Sequence, residues 1–246
     1  MTLVLSAFAG ELAAFIETLL DKKKYKISLG THRDIYYTCG LTTEGELVTA
    51  AVSGIGKLNS YIATYELINK CRPDRVIFTG ISGAVSPELK IGDIILSNSI
   101  TQYDMDYVSK MVLSGDVPAG PMEDLIHTDK NLTDSIETAV RILQERNGFQ
   151  RIFSERTLSV GCTGSADIFM TPEIQKRYVD IFTDREVLAV DMEGFSAGSA
   201  ALVRDIPFAQ LRIISDDAEG NKPAASIFRE FLRSISCDLA AIIDNL

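Results

Sequence analysis

Carboxylates and hydroxyls stand where the apolar runs of this chain stop. Phe208-Ala209-Gln210-Leu211-Arg212-Ile213-Ile214 ends in Ser215, Asp216 and Asp217. Val187-Leu188-Ala189-Val190 ends in Asp191, Met192, Glu193 and Gly194. Thr2-Leu3-Val4-Leu5-Ser6-Ala7 runs into Gly10 and Glu11. Leu47-Val48-Thr49-Ala50-Ala51-Val52 runs into Ser53-Gly54-Ile55-Gly56-Lys57, and Arg75-Val76-Ile77-Phe78 into Thr79-Gly80-Ile81-Ser82-Gly83. A buried strand that stops at an acid aims a proton donor or acceptor into the crevice at the carboxyl edge of an α/β sheet. The recurrence of such endings predicts one shared site at one edge of one sheet.

The groups differ in what they could do. Asp216, at the end of a buried strand, can serve as a general acid near neutral pH, with Asp217 beside it adding like-charge repulsion. A turn or cap residue is the alternative. Glu193 follows an apolar strand, so its carboxylate must be paired or hydrogen-bonded. Two adjacent ribose hydroxyls would suit it; an internal ion pair with Arg212 is the alternative. On spacing alone Glu11 reads as a first-turn helix acid. Glycines at the strand-to-helix junction 53–57 let backbone N–H groups approach an anion or a hydroxyl-rich ligand, though a tight turn without a ligand has the same pattern. The spacing is neither that of a P-loop nor that of a dinucleotide fingerprint. Residues 79–84 read as a second Gly-rich turn. Two such turns without dinucleotide spacing point to a small polar ligand. Phe228 and Phe231 read as core residues.

Periodicity supplies the elements that must hold these groups. Leu12, Phe15, Ile16, Leu19 and Leu20 fall at helical spacing and are expected to face a core. Weak alternation over residues 25–37 predicts peripheral strands. Leu58, Ile62, Tyr65 and Ile68 mark a second helix, and residues 92–97 a further strand. Residues 107–123 carry Gly115, Pro118, Gly120 and Pro121 with little periodicity and read as a long, functional loop. Leu132, Ile136, Ala139, Ile142 and Leu143 mark a third helix, and Leu158-Ser159-Val160-Gly161 a strand opening into Cys162-Thr163-Gly164-Ser165. Pro172 suits a first helical turn after Thr171. Residues 194–204, rich in small side chains, predict a close-packed helix, and a last helix follows Pro223. Strands alternating with helices imply a three-layer α/β/α sandwich around a mixed, largely parallel sheet. No linker divides the chain, so residues 1–246 are expected to form one domain.

Bulk properties narrow the function. The chain has 246 residues, 46% hydrophobic, and a net charge of −10. That charge disfavours nucleic-acid and anionic-membrane surfaces, which need clustered Lys and Arg. Four cysteines without CxxC spacing fit a reducing compartment, and neither histidine sits in a metal-ligand pattern. No signal-peptide pattern precedes Leu3, and no apolar run spans a membrane, so a cytoplasmic protein is expected.

In order and type, these segments resemble the nucleoside phosphorylase/nucleosidase superfamily. The likeness rests on Ala7-Phe8-Ala9-Gly10-Glu11, Ser53-Gly54-Ile55-Gly56-Lys57, residues 73–80, residues 91–97, Val190-Asp191-Met192-Glu193 and Arg212-Ile213-Ile214-Ser215-Asp216. It covers nearly the whole chain. Within the superfamily it points to cleavage of the N-glycosidic bond of 5′-methylthioadenosine and S-adenosylhomocysteine. The resemblance implies that Asp216 protonates adenine N7 and that Glu11 activates water. It implies that Glu193 binds the ribose hydroxyls, with Met192 lining the sugar and Ile81 and Ser82 nearby. Phe169 would stack on adenine, the backbone at Met170 would read its edge, and Phe228 would pack near the 5′ side. Phe8, Ile55 and Ser215 join the substrate-binding set from the same segments. No cofactor or metal is required, and a homodimer is implied, with residues 107–121 of one subunit covering the 5′ group of the other.

The chain also departs from the pattern. Ala166 replaces a Gly beside Asp167, Ile81 stands where Ser is common, Tyr103 replaces a His before Asp104, and Asp191 replaces a Glu. Superfamily phosphorylases carry an Arg for phosphate just before the Gly-rich turn, where this chain has Phe78. An apolar side chain cannot neutralise phosphate, so water is the expected nucleophile. A futalosine-type hydrolase, a purine or uridine phosphorylase, and a non-catalytic nucleoside-binding module remain as alternatives.

Overall fold

A computed structural model describes residues 1–31, 33–105, 124–146, 148–149, 156–221 and 225–246. The long loop expected over residues 107–123, with Tyr107, Met111, Val112, Leu113 and Val117, lies outside the described residues, as does Pro223. The strands are β1 (Thr2–Ser6), β2 (Leu20–Leu29), β3 (Arg33–Leu41), β4 (Leu47–Val52), β5 (Arg75–Ala84), β6 (Ile94–Gln102), β7 (Leu125–His127), β8 (Leu158–Ser165), β9 (Val187–Asp191) and β10 (Phe208–Asp216). The helices are α1 (Ala9–Thr18), α2 (Lys57–Cys71), α3 (Lys130–Glu145), α4 (Pro172–Arg177), α5 (Val179–Asp184), α6 (Gly194–Leu202) and α7 (Ala225–Ile243).

Parallel pairing runs through the middle of the sheet. β1 lies between β4 and β5, and β10 runs parallel to β5. The sheet then closes on itself: β10 pairs with β6, β6 with β8, β8 with β9, and β9 returns to β5. The β2–β3 hairpin extends the opposite end through β4, and β7 adds to β6. Closure brings the carboxyl ends of β5, β9 and β10 together, which is the shared edge that the repeated strand endings predict.

Alternation along the strands sorts the two faces. Val4, Ile77 and Ile213 pack with Leu12, Phe15, Ile136, Phe231 and Leu239, so α1, α3 and α7 cover one face. Leu3, Leu5, Val76 and Phe78 pack with Ala63, Leu67, Phe195 and Ala197, so α2 and α6 cover the other. These are the three layers expected. The small residues of α6 are buried throughout its length. Pro172 begins α4 behind its cap Thr171, whose side chain accepts from the Ile174 N–H.

Two leucines at helical spacing lie outside the buried faces. Leu20 starts β2 and is 51% exposed, because α1 ends at Thr18. Leu58 is 70% exposed, and α2 buries Ser60, Ala63, Thr64, Leu67 and Ile68 instead. Small residues on that face allow close approach to α6. Residues 79–84, read as a turn, continue β5 as strand. Their ladder pairs with β10 from Thr79 to Gly83 and with β9 at Gly83 and Ala84. Pairing on both edges outweighs the poor strand propensity of glycine. Residues 162–165 likewise stay in β8.

Gly80 shows why glycine is needed inside β5. Its φ is 144°, and a Cβ there would sit 2.3 Å from Glu11 Oε1 and 2.8 Å from Arg212 Nη1. Gly80→Ala is therefore expected to destabilise the fold by about 1–3 kcal/mol and to displace Glu11. Denaturant unfolding checks this; an unchanged midpoint would show that the approach of Glu11 to β5 is not tight.

Candidate active site

A cleft of about 700 Å³, including its open mouth, lies over the carboxyl ends of β1, β5, β9 and β10. Glu11, Ile81, Ser82, Met192, Glu193, Ser215, Asp216, Phe8, Ile55, Phe169 and Met170 all line it, as do Ala7, Gly83, Ile168, Val190 and Asp191. Phe228 is not among the lining residues. It packs on the core beside Phe231, ring centroids 6.2 Å apart, as its spacing in α7 suggests.

Glu11 does more than begin a helix. At the third position of α1 it turns back, and its Oε2 accepts the N–H groups of Ala7 and Phe8 at 3.0 and 3.1 Å. Its Oε1 accepts the Ile81 N–H of β5 at 2.8 Å. Burial pushes its pKa up, against the opposing pull of Arg212 and those N–H donors. A carboxylate held in this way is fixed in orientation and is a stronger base than an exposed one.

Asp216 ends β10, and its Oδ2 lies 2.7 Å from where a Gly83 Cβ would stand. Ser215 Oγ donates to its Oδ1 at 2.6 Å. Asp217 has a different task. It accepts from the N–H groups of Glu219 and Asn221 and from the Asn221 side chain. These bonds, that of the Asn221 side chain foremost, lower its pKa and make Asp217 a turn residue.

Glu193 is the N-cap residue of α6, and its Oε1 accepts the Gly56 N–H at 2.9 Å. The Gly-rich junction thus holds a carboxylate as well as a turn. Gly56 has φ 92°, and a Cβ there would sit 2.9 Å from Asp167 Oδ1. Arg212 was the expected alternative partner of Glu193. Its Nη2 lies 3.8 Å from Glu193 Oε2 but 2.5 Å from Asp191 Oδ2, so Asp191 holds it. Burial raises Glu193 to a pKa of about 7; Arg212 opposes this and the Asp191 charge reinforces it.

Two groups of functional side chains escape a sequence reading. Asp191 is a hub, accepting from Ser165, Gln210, Arg212 and the N–H groups of Glu193 and Gly194. The available signal is Gln210 and Arg212, two polar residues two apart in an apolar strand, which must share a buried face and therefore a partner. The second group is a clasp at the cleft mouth. Lys57 Nζ donates to both Asp104 oxygens at 2.7 Å, Asp104 accepts the Asp167 N–H, and Asp167 accepts the Lys57 N–H. It ties the 53–57 junction to the segment carrying Ile168, Phe169 and Met170. Only the folded topology brings these distant positions together.

Phe78, the residue argued to exclude phosphate, is fully buried in the core, with the Arg212 guanidinium 4.8 Å from its ring centroid. Among the described residues the cleft lining holds four carboxylates, Glu11, Asp191, Glu193 and Asp216, and no Lys or Arg. No helix among the described residues is long and apolar enough to cross a membrane.

The partly ring-closed sheet thus carries its carboxylates at one rim. Residues 2–246 match the family model described as the phosphorylase superfamily, and the chain belongs to that superfamily. It is 33% identical, over 85% of its length and 81% of the relative's, to a 5′-methylthioadenosine/S-adenosylhomocysteine nucleosidase of Pseudoalteromonas translucida. The structure is similar to the nucleosidase of the same name from Campylobacter jejuni, with a TM-score of 0.77, 26% identity, and coverage of 99% of this chain and 96% of that one. It shares its fold with a futalosine hydrolase mutant of Helicobacter pylori, with a TM-score of 0.79, 22% identity, and coverage of 100% and 99%.

The raised pKa of Glu193 has a consequence for stability. Its folded value of about 7 exceeds its ordinary value of 4.5, so the folded state holds the proton more tightly. The associated stability is complete below pH 4.5 and is lost as pH rises through about 7. Glu193→Gln removes the loss. The variant is expected to be more stable than the parent at pH 8, on the order of 1–3 kcal/mol, with the gap closing near pH 5. Melting curves at both pH values check this; a variant less stable at pH 8 would mean that Glu193 is not strained by burial.

Proposed function

We propose that this protein hydrolyses the N-glycosidic bond of 5′-methylthioadenosine and S-adenosylhomocysteine, releasing adenine and the 5-thio-ribose product. The observation that carries this reading is a lining with four carboxylates and no cation. Phosphate would meet no lining cation in such a cleft, whereas water and a purine ribonucleoside need none. The named relatives support the same substrates.

In this reading Asp216 protonates adenine at N7, which makes the base a neutral leaving group and leaves an oxocarbenium-like sugar. Glu11 takes a proton from the water that attacks the anomeric carbon. Its three backbone donors, from Ala7, Phe8 and Ile81, hold it in place for that task. Glu193 accepts from the ribose hydroxyls, and Met192, Ile81 and Ser82 line the sugar. Phe169, Met170, Phe8 and Ile55 surround the base and the 5′ side. Phe169 and Ile55, which line the cleft, are 64% and 56% exposed. Apolar groups so open around one mouth call for a cover, and a second subunit supplies one, so the assembly is proposed to be a homodimer.

Four measurements test this reading. Incubation with 5′-methylthioadenosine, with and without phosphate, is expected to give adenine and a free reducing sugar at equal rates; a sugar 1-phosphate would overturn the hydrolase assignment. Asp216→Asn and Glu11→Gln are each expected to lower kcat by about 10²–10⁴-fold while ligand binding persists. Activity within a few-fold of the parent in either variant would remove that residue from the chemistry. Because Glu193 must be ionised to accept from two hydroxyls, kcat/KM is expected to fall as pH drops through about 7. A profile flat from pH 5 to 8 would contradict this role. Sedimentation reports the assembly: a stable, fully active monomer would count against the dimer.

A further inference from the structure

Beneath the cleft, the lining carboxylates Asp191 and Glu193 meet one buried guanidinium, that of Arg212. Arg212 is 0% exposed, Asp191 7% and Glu193 5%. The two acids are held very differently. Asp191 Oδ1 accepts from Ser165 Oγ at 2.5 Å and from the Glu193 and Gly194 N–H groups at 3.2 and 3.1 Å. Its Oδ2 accepts from Gln210 Nε2 at 3.0 Å and from Arg212 Nη2 at 2.5 Å. Among the described residues Glu193 has one close donor, the Gly56 N–H on Oε1. Its Oε2 stands 3.8 Å from Arg212, beyond hydrogen-bond reach.

A buried guanidinium must be paired, and it takes whichever carboxylate is best placed. Here both candidates lie on the same short stretch of chain. Asp191 has won, because Ser165, Gln210 and the Glu193 and Gly194 N–H groups fix its carboxylate against Arg212. We propose that Asp191 is a positioning residue that holds Arg212 off Glu193 and so keeps the Glu193 carboxylate open for vicinal hydroxyls. The inference rests on the reading of Glu193 as the ribose-binding group.

Removing the Asp191 charge would leave Arg212 with Glu193 as its nearest remaining carboxylate among the described residues. An Arg-paired carboxylate has fewer lone pairs for a sugar, and its charge is already neutralised. Ribose recognition would fail although every atom of Glu193 is retained. Proton affinity would move as well. Glu193 is faced by Arg212 from β10, Asp191 from β9 and Glu11 from α1. Loss of the Asp191 charge and closure by Arg212 both favour the ionised form of Glu193.

The experiment compares kcat/KM for 5′-methylthioadenosine and its 2′-deoxy counterpart in the parent, Asp191→Asn, Asp191→Glu and Glu193→Gln, from pH 5 to 8. Asp191→Asn is expected to raise KM for the ribonucleoside about tenfold or more and to bring discrimination down to that of Glu193→Gln. Its acid limb is expected to move to lower pH, which simple loosening of the fold would not produce. Asp191→Glu keeps the charge against Arg212, so its discrimination is expected to stay within about threefold of the parent. It decides the matter even if Asp191→Asn does not fold. Parental discrimination and an unmoved limb in Asp191→Asn, or lost discrimination in Asp191→Glu, would overturn the proposal. Unchanged discrimination in Glu193→Gln would instead overturn the ribose reading on which it rests.

Discussion

A fully buried arginine with one committed carboxylate organises this molecule. Arg212 lies inside β10 with its guanidinium over the Phe78 ring, bonded to Asp191 and directed also to the Thr79 carbonyl. Placing an ion pair in a protein interior costs several kcal/mol per ion unless further hydrogen bonds offset it. Ser165, Gln210 and the first N–H groups of α6 supply those bonds. The pair therefore ties β5, β8, β9, β10 and the start of α6 into one floor. The carboxylates of the cleft are positioned relative to that floor, and both Glu11 and Glu193 feel the Arg212 charge.

Sheet closure makes this concentration of charge possible. An open sheet would leave β9 and β10 without a common neighbour. Here β5 pairs with both, so the ends of three strands meet within one cleft. Glycine supplies the clearance. At Gly80 and Gly83 a side chain would occupy the space taken by Glu11 and Asp216. The hydroxyls near the same rim complete the arrangement, with Ser82 Oγ donating to the Val190 carbonyl and Ser215 Oγ to Asp216. Rigid strands, not loops, thus carry most of the polar groups at the floor of the cleft.

Much of this was legible in the sequence, because local pattern and burial agree there. The apolar runs ending in Ser215-Asp216, Met192-Glu193 and Ser53-Gly54 mark β10, β9 and β4 and the edge where they meet. Glu11 gave a first-turn acid by spacing alone; its contact with Ile81 depends on β1 and β5 being neighbours, which no local pattern encodes. Residues 79–84 read as a turn because glycine and serine dominate them, yet ladder pairing on both edges made them strand. Asp191 was hidden for a related reason. Its importance comes from Gln210 and Arg212, nineteen and twenty-one positions away. Leu58 and Leu20 misled because their spacing fits a helix face that the packing of α2 and the end of α1 place elsewhere.

The most direct test of the catalytic geometry is a crystal structure of Asp216→Asn with 5′-methylthioadenosine bound. The expected complex has the side chain at position 216 within hydrogen-bond distance of adenine N7. Both ribose hydroxyls rest on Glu193, with a water between Glu11 and the anomeric carbon. Arg212 stays on Asp191. A nucleoside bound with its sugar away from Glu193, or with its base remote from position 216, would contradict the division of labour among the three carboxylates.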